Sequence, residues 1–326
     1  MNPYRGGTDG AASKFRSGRY FVVLGSQAVE SPSAMPWRVR AVRGLLRLTP
    51  RGRYTLLGTI APSRGRFIGQ LADDIGGARF HCDLHDLLAR EACFTGMYEP
   101  PVTRVFQHYA RKGAAVVDIG ANWGYFTLVA ASAVGSAGSV TAFEPDPRQF
   151  AALSRNLALN EFGDVTARQA AVSDAAGRVT LTGYTDRDEN RGISRIGAAA
   201  DAPAERQFDV ETVALDDRTD RASIDLVKID VEGAEDLVLE GMRRGLAAHR
   251  YRALILELHP DLLRARGVDP DACVRTLLDH GYHGRVIDAS PGPYRRALNP
   301  GVPLEELLLP LERWRDSPWP HLLWLC

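Results

Sequence analysis

The residues of this chain best suited to chemistry stand where apolar runs end. "VVDIGANWGYFTL" (116–128) sets Asp118, Gly120, Asn122 and Gly124 between a strand-like run and a helix-like one. "AFEPDP" places Glu144 after a second run, "AAVSD" places Ser173 and Asp174 after a third, and "LVKIDVEG" places Asp230 and Glu232 at the end of a later one. A packed strand has no reason to end in acid each time. In an open parallel sheet, ligands bind outside the carboxyl ends of the strands, so acids at successive strand ends read as a site.

The first turn reads G-x-N-x-G, with an acid two residues before its first glycine. That is not the G-x-G-x-x-G pattern that lets a pyrophosphate approach a helix N-terminus. Asp118 would repel a pyrophosphate and favour a cationic ligand such as an amine or a sulfonium. Glu144 is placed to accept hydrogen bonds from both hydroxyls of a ribose, a role common to NAD and S-adenosylmethionine sites. Asp118 and Asn122 tip the reading toward S-adenosylmethionine, while Gly120 and Gly124, as a tight turn with close helix packing, are compatible with either ligand.

Strand side chains alternate, so Lys228, Asp230 and Glu232 share one side of "DLVKIDVEG". Charged groups in a central strand either pair with each other or face a polar cavity, and the strand-end position of Glu232 favours the cavity. By the same alternation Glu257 and His259 of "LILELHP" lie on one side of their strand. A histidine there has the pKa for general-base work near neutrality. His259 is the first candidate base, with Asp230, Glu232 and Glu257 behind it; the alternative is that it caps the following turn.

The elements that must position these residues follow a rhythm from Ala114 onward. "AAVVDIG", "SVTAFEP", "VTARQAAVSD", "IDLVKIDVEG" and "YRALILELHP" read as strands. "GYFTLVAASAVG", "PRQFAALSRNLALN", "AEDLVLEGMRRGLAAH" and "PDACVRTLLDHGY" read as helices, and "HLLWLC" as a final strand. Two further alternating strands, "GRVTLTGY" and "FDVETVALDD", flank a long loop containing "NRGIS". Strands alternating with helices of this length predict an α/β, doubly wound, mostly parallel sheet. The N-terminal third is mixed, with a strand at "YFVVL", an amphipathic helix at "PWRVRAVRGLLRL" and a helix after the prolines of "YEPPVTRVFQHYARKG". The expected divisions are a flexible leader at 1–18, an N-terminal extension at 19–100 and the sheet-bearing domain at 101–326.

With 326 residues the chain is long enough for a substantial core. Its 40 basic and 40 acidic residues cancel, which argues for no nucleic-acid partner. The balance is local, however. Between Glu30 and Asp73 there is no acid, while Arg38, Arg40, Arg43, Arg47, Arg51, Arg53, Arg64 and Arg66 fall there. Such a run could draw an anionic or carrier-bound small-molecule acceptor, or could be a solvated basic face. The cysteines Cys82, Cys93, Cys273 and Cys326 form no C-x-x-C pair. With no secretory signal and no apolar stretch of the roughly 18 residues a span needs, this predicts reduced thiols in a cytoplasmic protein.

In their order, "VVDIGANWGYFTL", "AFEPDP", "NLALN", "AAVSD", "NRGIS", "LVKIDVEGAE" and "LILELHP" resemble the FkbM-type methyltransferases, as do "FTGMYEP" and "HLLWLC" at the edges. The resemblance runs from about Phe80 to the C-terminus. It implies a class I, Rossmann-like, S-adenosylmethionine-dependent enzyme, most often an O-methyltransferase of natural products or glycans. It further implies that Asp118, Gly120, Asn122 and Gly124 line the methionine part of the cofactor, that Glu144 holds the ribose, and that Ser173 and Asp174 lie by the adenine. Asp230, at the cofactor's edge, and Glu232 would face the reaction cleft, and Asn190 of "NRGIS" could reach over it. Some related sugar O-methyltransferases use a divalent cation, and Asp230, Glu232 and Glu257 would suit magnesium, although no spacing compels a metal. The rival readings are a nicotinamide-dependent oxidoreductase, opposed by the missing G-x-G-x-x-G, and a non-catalytic cofactor-binding homologue, opposed by the retained acids. The acceptor is not legible.

Overall fold

A computed structural model of the chain describes residues 34–48, 60–183, 195–196, 207–219 and 221–326. The expected leader, the "YFVVL" strand and the "NRGIS" loop with Asn190 lie outside these residues. A two-stranded antiparallel hairpin comes first, β1 (Arg66–Gln70) and β2 (Arg79–Asp83). The chain then forms β3 (Ala115–Ile119), β4 (Ser139–Phe143) and β5 (Asp164–Arg168). Next come β6 (Ala171–Val172), β7 (Gly177–Thr182), β8 (Arg195–Ile196) and β9 (Gln207–Val213). Last are β10 (Leu226–Ile229), β11 (Ala253–Glu257), β12 (His283–Ile287), β13 (Leu308–Pro310) and β14 (His321–Leu325).

The main sheet has eight strands in the order β13-β12-β14-β11-β10-β3-β4-β5. From β11 to β5 every pairing is parallel; β14 is antiparallel to both β11 and β12, and β13 is antiparallel to β12. This is the expected α/β, mostly parallel sheet. The apolar runs are continuous rather than alternating because both faces are covered: all five residues of β3 are buried. Val116, Leu226 and Ile255 enter one core, while Val117, Val227 and Leu254 enter the other. Burying each such side chain contributes about 1.5–3 kcal/mol.

The first core reaches from the helix Trp37–Leu48 and the β1–β2 hairpin to the helices Pro100–Tyr109 and Tyr125–Val134. Residues of the expected N-terminal extension therefore share a core with the sheet. Phe80 of β2 stacks on Trp123 with ring centroids 5.1 Å apart. Asn156 joins the same junction, accepting from the His81 N–H at 2.7 Å and donating to the Trp123 carbonyl at 2.7 Å.

Two readings need correction. The run "VTARQAAVSD" is not one strand: Gln169 and Ala170 leave the sheet, and β6 pairs in parallel with β9 in a separate four-stranded sheet. Ser173 and Asp174 therefore do not end the third strand of the main sheet. The run "AEDLVLEGMRRGLAAH" divides into helices Glu235–Glu240 and Arg243–Ala247. The break falls where Gly241 packs on the Ser173 backbone, whose carbonyl oxygen would lie 1.9 Å from a Cβ at that position. The run "HLLWLC" forms the expected final strand, β14, and lies between β11 and β12; β12 and β13 carried no distinct signal in the sequence.

Candidate active site

The turn after β3 is held by its own backbone and by Glu144. Gly120 has φ 81°, and a Cβ there would come 1.7 Å from the Asp230 carbonyl oxygen. Gly124 has φ 98°, and its Cβ would meet Leu153 at 2.6 Å. Both glycines are therefore required by protein packing, whatever ligand comes. Asn122 adopts φ 52° and its Oδ1 accepts from the Trp123 N–H at 2.7 Å. Its own N–H donates to Glu144 Oε2 at 2.7 Å, while Glu144 Oε1 accepts from the Asp146 N–H at 2.8 Å. Glu144 thus joins the ends of β3 and β4. Burial outweighs these two bonds and pushes its pKa up to about 8.

Asp118 was expected to face a cationic ligand; it is only 1% exposed. Its Oδ2 accepts from the Thr127 hydroxyl at 2.6 Å, and its register partner across the sheet is Lys228. The cation that Asp118 answers is inside the protein. Burial holds its pKa above the usual carboxylate range against the pull of Lys228 and Thr127. Its Oδ1 is buried with no hydrogen-bond partner among the described residues.

Lys228 is 1% exposed and forms a 2.8 Å ion pair with Asp230 Oδ2, its ammonium 4.5 Å from the Phe126 ring centroid. Burial would lower its pKa, but Asp230, Glu257, Asp118 and Glu99 together hold it above its ordinary value. Of the two options in the sequence, the pairing is seen: Lys228 pairs with Asp230. Asp230 is held below the usual range despite burial, chiefly by Lys228 and His259.

His259 precedes the helix Pro260–Ala265 but makes no side-chain cap to it. Its Nδ1 meets Glu235 Oε1 at 2.7 Å, and its Nε2 lies 3.5 Å from Glu232 Oε2 and 3.6 Å from Glu257 Oε1. Glu235 Oε1 also accepts from the Gly233 N–H at 2.9 Å. The expectation of an ordinary histidine pKa is corrected: burial acts to lower it, but Glu235, Asp230, Glu232 and Glu257 raise it to about 9. At neutral pH this imidazole is a cation among carboxylates.

Beyond Glu257 the cluster continues. His321 Nε2 lies 3.0 Å from Glu257 Oε2 and 3.3 Å from Glu99 Oε2. Glu99 sits just before its helix with φ 41°, and the segment before it is fixed by Tyr125, whose hydroxyl accepts from the Tyr98 N–H at 2.9 Å. Glu99, Glu235 and His321 were not found from sequence. Glu99 lies in a stretch read only as a helix start and His321 in one read only as a strand.

Residues 118–283 match the family description "Methyltransferase FkbM domain". The chain belongs to the FkbM methyltransferase family. Among curated relatives, it is 34% identical over 155 residues to methyltransferase sdnD of Sordaria araneosa, covering 39% of this chain and 60% of that one. It is 29% identical over 147 residues to methyltransferase 1 of Beauveria bassiana, covering 39% and 57%. The chain thus spans less than two thirds of either relative. Among solved structures, Aeropyrum pernix fibrillarin in complex with S-adenosyl-L-methionine aligns at 10% identity and a TM-score of 0.37, over 67% of this chain and 68% of that one. In this FkbM family member the ends of β3, β4, β10 and β11 place Asn122, Glu144, Asp230, Glu257 and His259 along one edge. Ser173 and Asp174, bonded to each other at 2.9 Å, follow the second sheet instead.

Proposed function

We propose that this chain transfers a methyl group from S-adenosylmethionine to a hydroxyl of a small-molecule acceptor, a natural product or a sugar. The observation that carries the reading is the G-x-N-x-G turn after β3, which replaces the pyrophosphate-binding glycine pattern and is tied through the Asn122 N–H to Glu144 at the end of β4. The residues fit the cofactor. Each Glu144 oxygen uses one acceptor position on the backbone and retains another for a ribose hydroxyl. Asp118 Oδ1 is a buried acceptor still without a donor. When bound, S-adenosylmethionine supplies an electrophilic methyl on a sulfonium.

The chain's own residues do the rest. Glu144 and the Asn122 turn hold the cofactor; Asp230, fixed by Lys228, and Glu232 line the cleft. His259, oriented through Nδ1 by Glu235, removes the acceptor proton at Nε2 in its neutral form, so turnover should rise with pH toward about 9. Much of the acceleration comes from alignment in a dry site. The exposed Arg38 and Arg40 of the first helix support an anionic or carrier-bound acceptor. Among the described residues no helix is long and apolar enough to cross a membrane.

Thermal melts with S-adenosylmethionine, S-adenosylhomocysteine and NAD test the cofactor, since a ligand of the native state raises Tm. The adenosyl ligands should stabilise and NAD should not; the reverse would return the chain to the oxidoreductase reading. With a competent acceptor, His259→Ala should lower kcat by about 10²–10⁴-fold with cofactor affinity retained. Near-normal kcat would make the histidine structural.

A further inference from the structure

Glu257 and His321 are register partners on β11 and β14, and Glu99 meets them from the start of the helix Pro100–Tyr109. Their three ligating atoms lie within 4.8 Å of one another. His321 Nε2 is 3.0 Å from Glu257 Oε2 and 3.3 Å from Glu99 Oε2. Neither approach has hydrogen-bond geometry: His321 Nε2 and Glu99 Oε2 are both buried without a hydrogen-bond partner among the described residues. His321 is 7% exposed, more than nine-tenths buried. A buried imidazole nitrogen and two carboxylate oxygens that approach closely but off-line are aimed at a common point, not at each other. Oxygen and nitrogen ligands at about 2.0–2.2 Å from one ion stand about 3.0–3.4 Å apart, which matches both separations.

We propose that His321 Nε2, Glu257 Oε2 and Glu99 Oε2 bind a divalent transition-metal cation. Imidazole with carboxylates suits manganese, iron, cobalt or zinc, whereas magnesium prefers oxygen ligands. The set differs from the magnesium ligands suggested by the sequence, with which it shares only Glu257. The neighbouring group Asp230, Glu232 and His259 also falls within 4.8 Å, but its members are already engaged. Asp230 is paired with the Lys228 ammonium at 2.8 Å, and His259 is held through Nδ1 by Glu235. Lys228 supplies the positive charge there, and the proposed ion supplies it on the far side of Glu257. Glu257 links the two groups, one oxygen toward His259 and the other toward His321.

Metal-stripped full-length protein is titrated with Mn2+, and free Mn2+ is followed by electron paramagnetic resonance. One ion per chain should bind, and spin-echo spectra of the bound ion should carry the nitrogen coupling of an imidazole. Glu99→Gln and His321→Gln, checked for folding by circular dichroism, should each weaken binding at least tenfold. Asp230→Asn should weaken it less than either. No stoichiometric binding by the unaltered chain would overturn the proposal and leave His321 as an ion-paired imidazolium; so would bound Mn2+ without nitrogen coupling. Binding that survives both ligand variants but is lost in Asp230→Asn would place the ion elsewhere and overturn it too. All these readouts are independent of methyl transfer, so neither reading falls with the other.

Discussion

If Glu144 holds the ribose as proposed, cofactor binding is a proton-releasing event. Its carboxyl is 5% exposed and its pKa stands at about 8, because burial outweighs the N–H bonds from Asp146 and Asn122. At pH 7 a group of pKa 8 is about nine-tenths protonated. Ribose hydroxyls donating to the carboxylate favour its ionised form, so the bound state returns the pKa toward the ordinary range and expels the proton. Binding of S-adenosylhomocysteine should therefore release about 0.9 proton from this group at pH 7 and about 0.1 at pH 9. By linkage, affinity should rise about tenfold per pH unit below 8 and level off above it. Calorimetry at pH 7 in phosphate and in Tris reads the release directly, since their ionisation enthalpies differ. Glu144→Gln, an isostere of the protonated acid, should abolish this part of the buffer dependence. Equal heats in the two buffers for the unaltered protein, or undiminished release in the variant, would refute the reasoning. The free protein carries the same signature with its own sign. A folded pKa raised above the unfolded 4.5 gives stability that is full below pH 4.5 and is lost as pH rises through 8. Glu144→Gln should flatten that part of the decline in melting temperature.

Gly120→Ala should destabilise the fold by about 2–5 kcal/mol, combining left-handed strain with a clash on the Asp230 carbonyl; the urea midpoint reads it, and an unchanged midpoint would mean the turn can relax. Lys228→Met leaves Asp230 and its acidic neighbours without their buried cation and should cost about 3–5 kcal/mol. Adding Asp230→Asn should recover part of the loss in denaturant unfolding, whereas strict additivity would deny the coupling. If the first helix steers an anionic acceptor, kcat/KM should fall with added salt, and replacing Arg38 and Arg40 by glutamine should flatten that fall. An unaltered salt response would make the helix an ordinary basic face.

The parallel half of the sheet was legible because its strands are buried on both faces and stand out as apolar runs. The polar strand ends were legible for the same reason: Asp230 and Glu257 interrupt patterns that packing alone would continue. What local pattern could not carry was partnership across the sheet. Nothing near Asp118 in sequence neutralises it; Lys228, which arrives from β10 in register, places a cation across the sheet that no local pattern shows. His259 looked like an ordinary imidazole because the carboxylate holding Nδ1 belongs to the helix Glu235–Glu240. His321 joins only through the antiparallel register of β11 with β14, and Glu99 only from the start of the helix Pro100–Tyr109. The division of "VTARQAAVSD" has no local mark because its second half pairs with β9, which is distant in sequence and in another sheet.

The insertion of β14 between β11 and β12 has a kinetic corollary. Residues 321–325 must reach residues 253–257 before 283–287 can join the sheet, so β12 and β13 cannot dock early. The Glu144 end, built from β3 and β4, closes with contacts nearer in sequence. Long-range closure is the slower step in folding, and edges assembled that way open as units of their own. The two halves of the cleft therefore close over contacts of different sequence separation. Amide protons of β12 and β14 should become protected after those of β3 and β4 during refolding, leaving a transient species that has its nucleotide end but not yet its acid cluster.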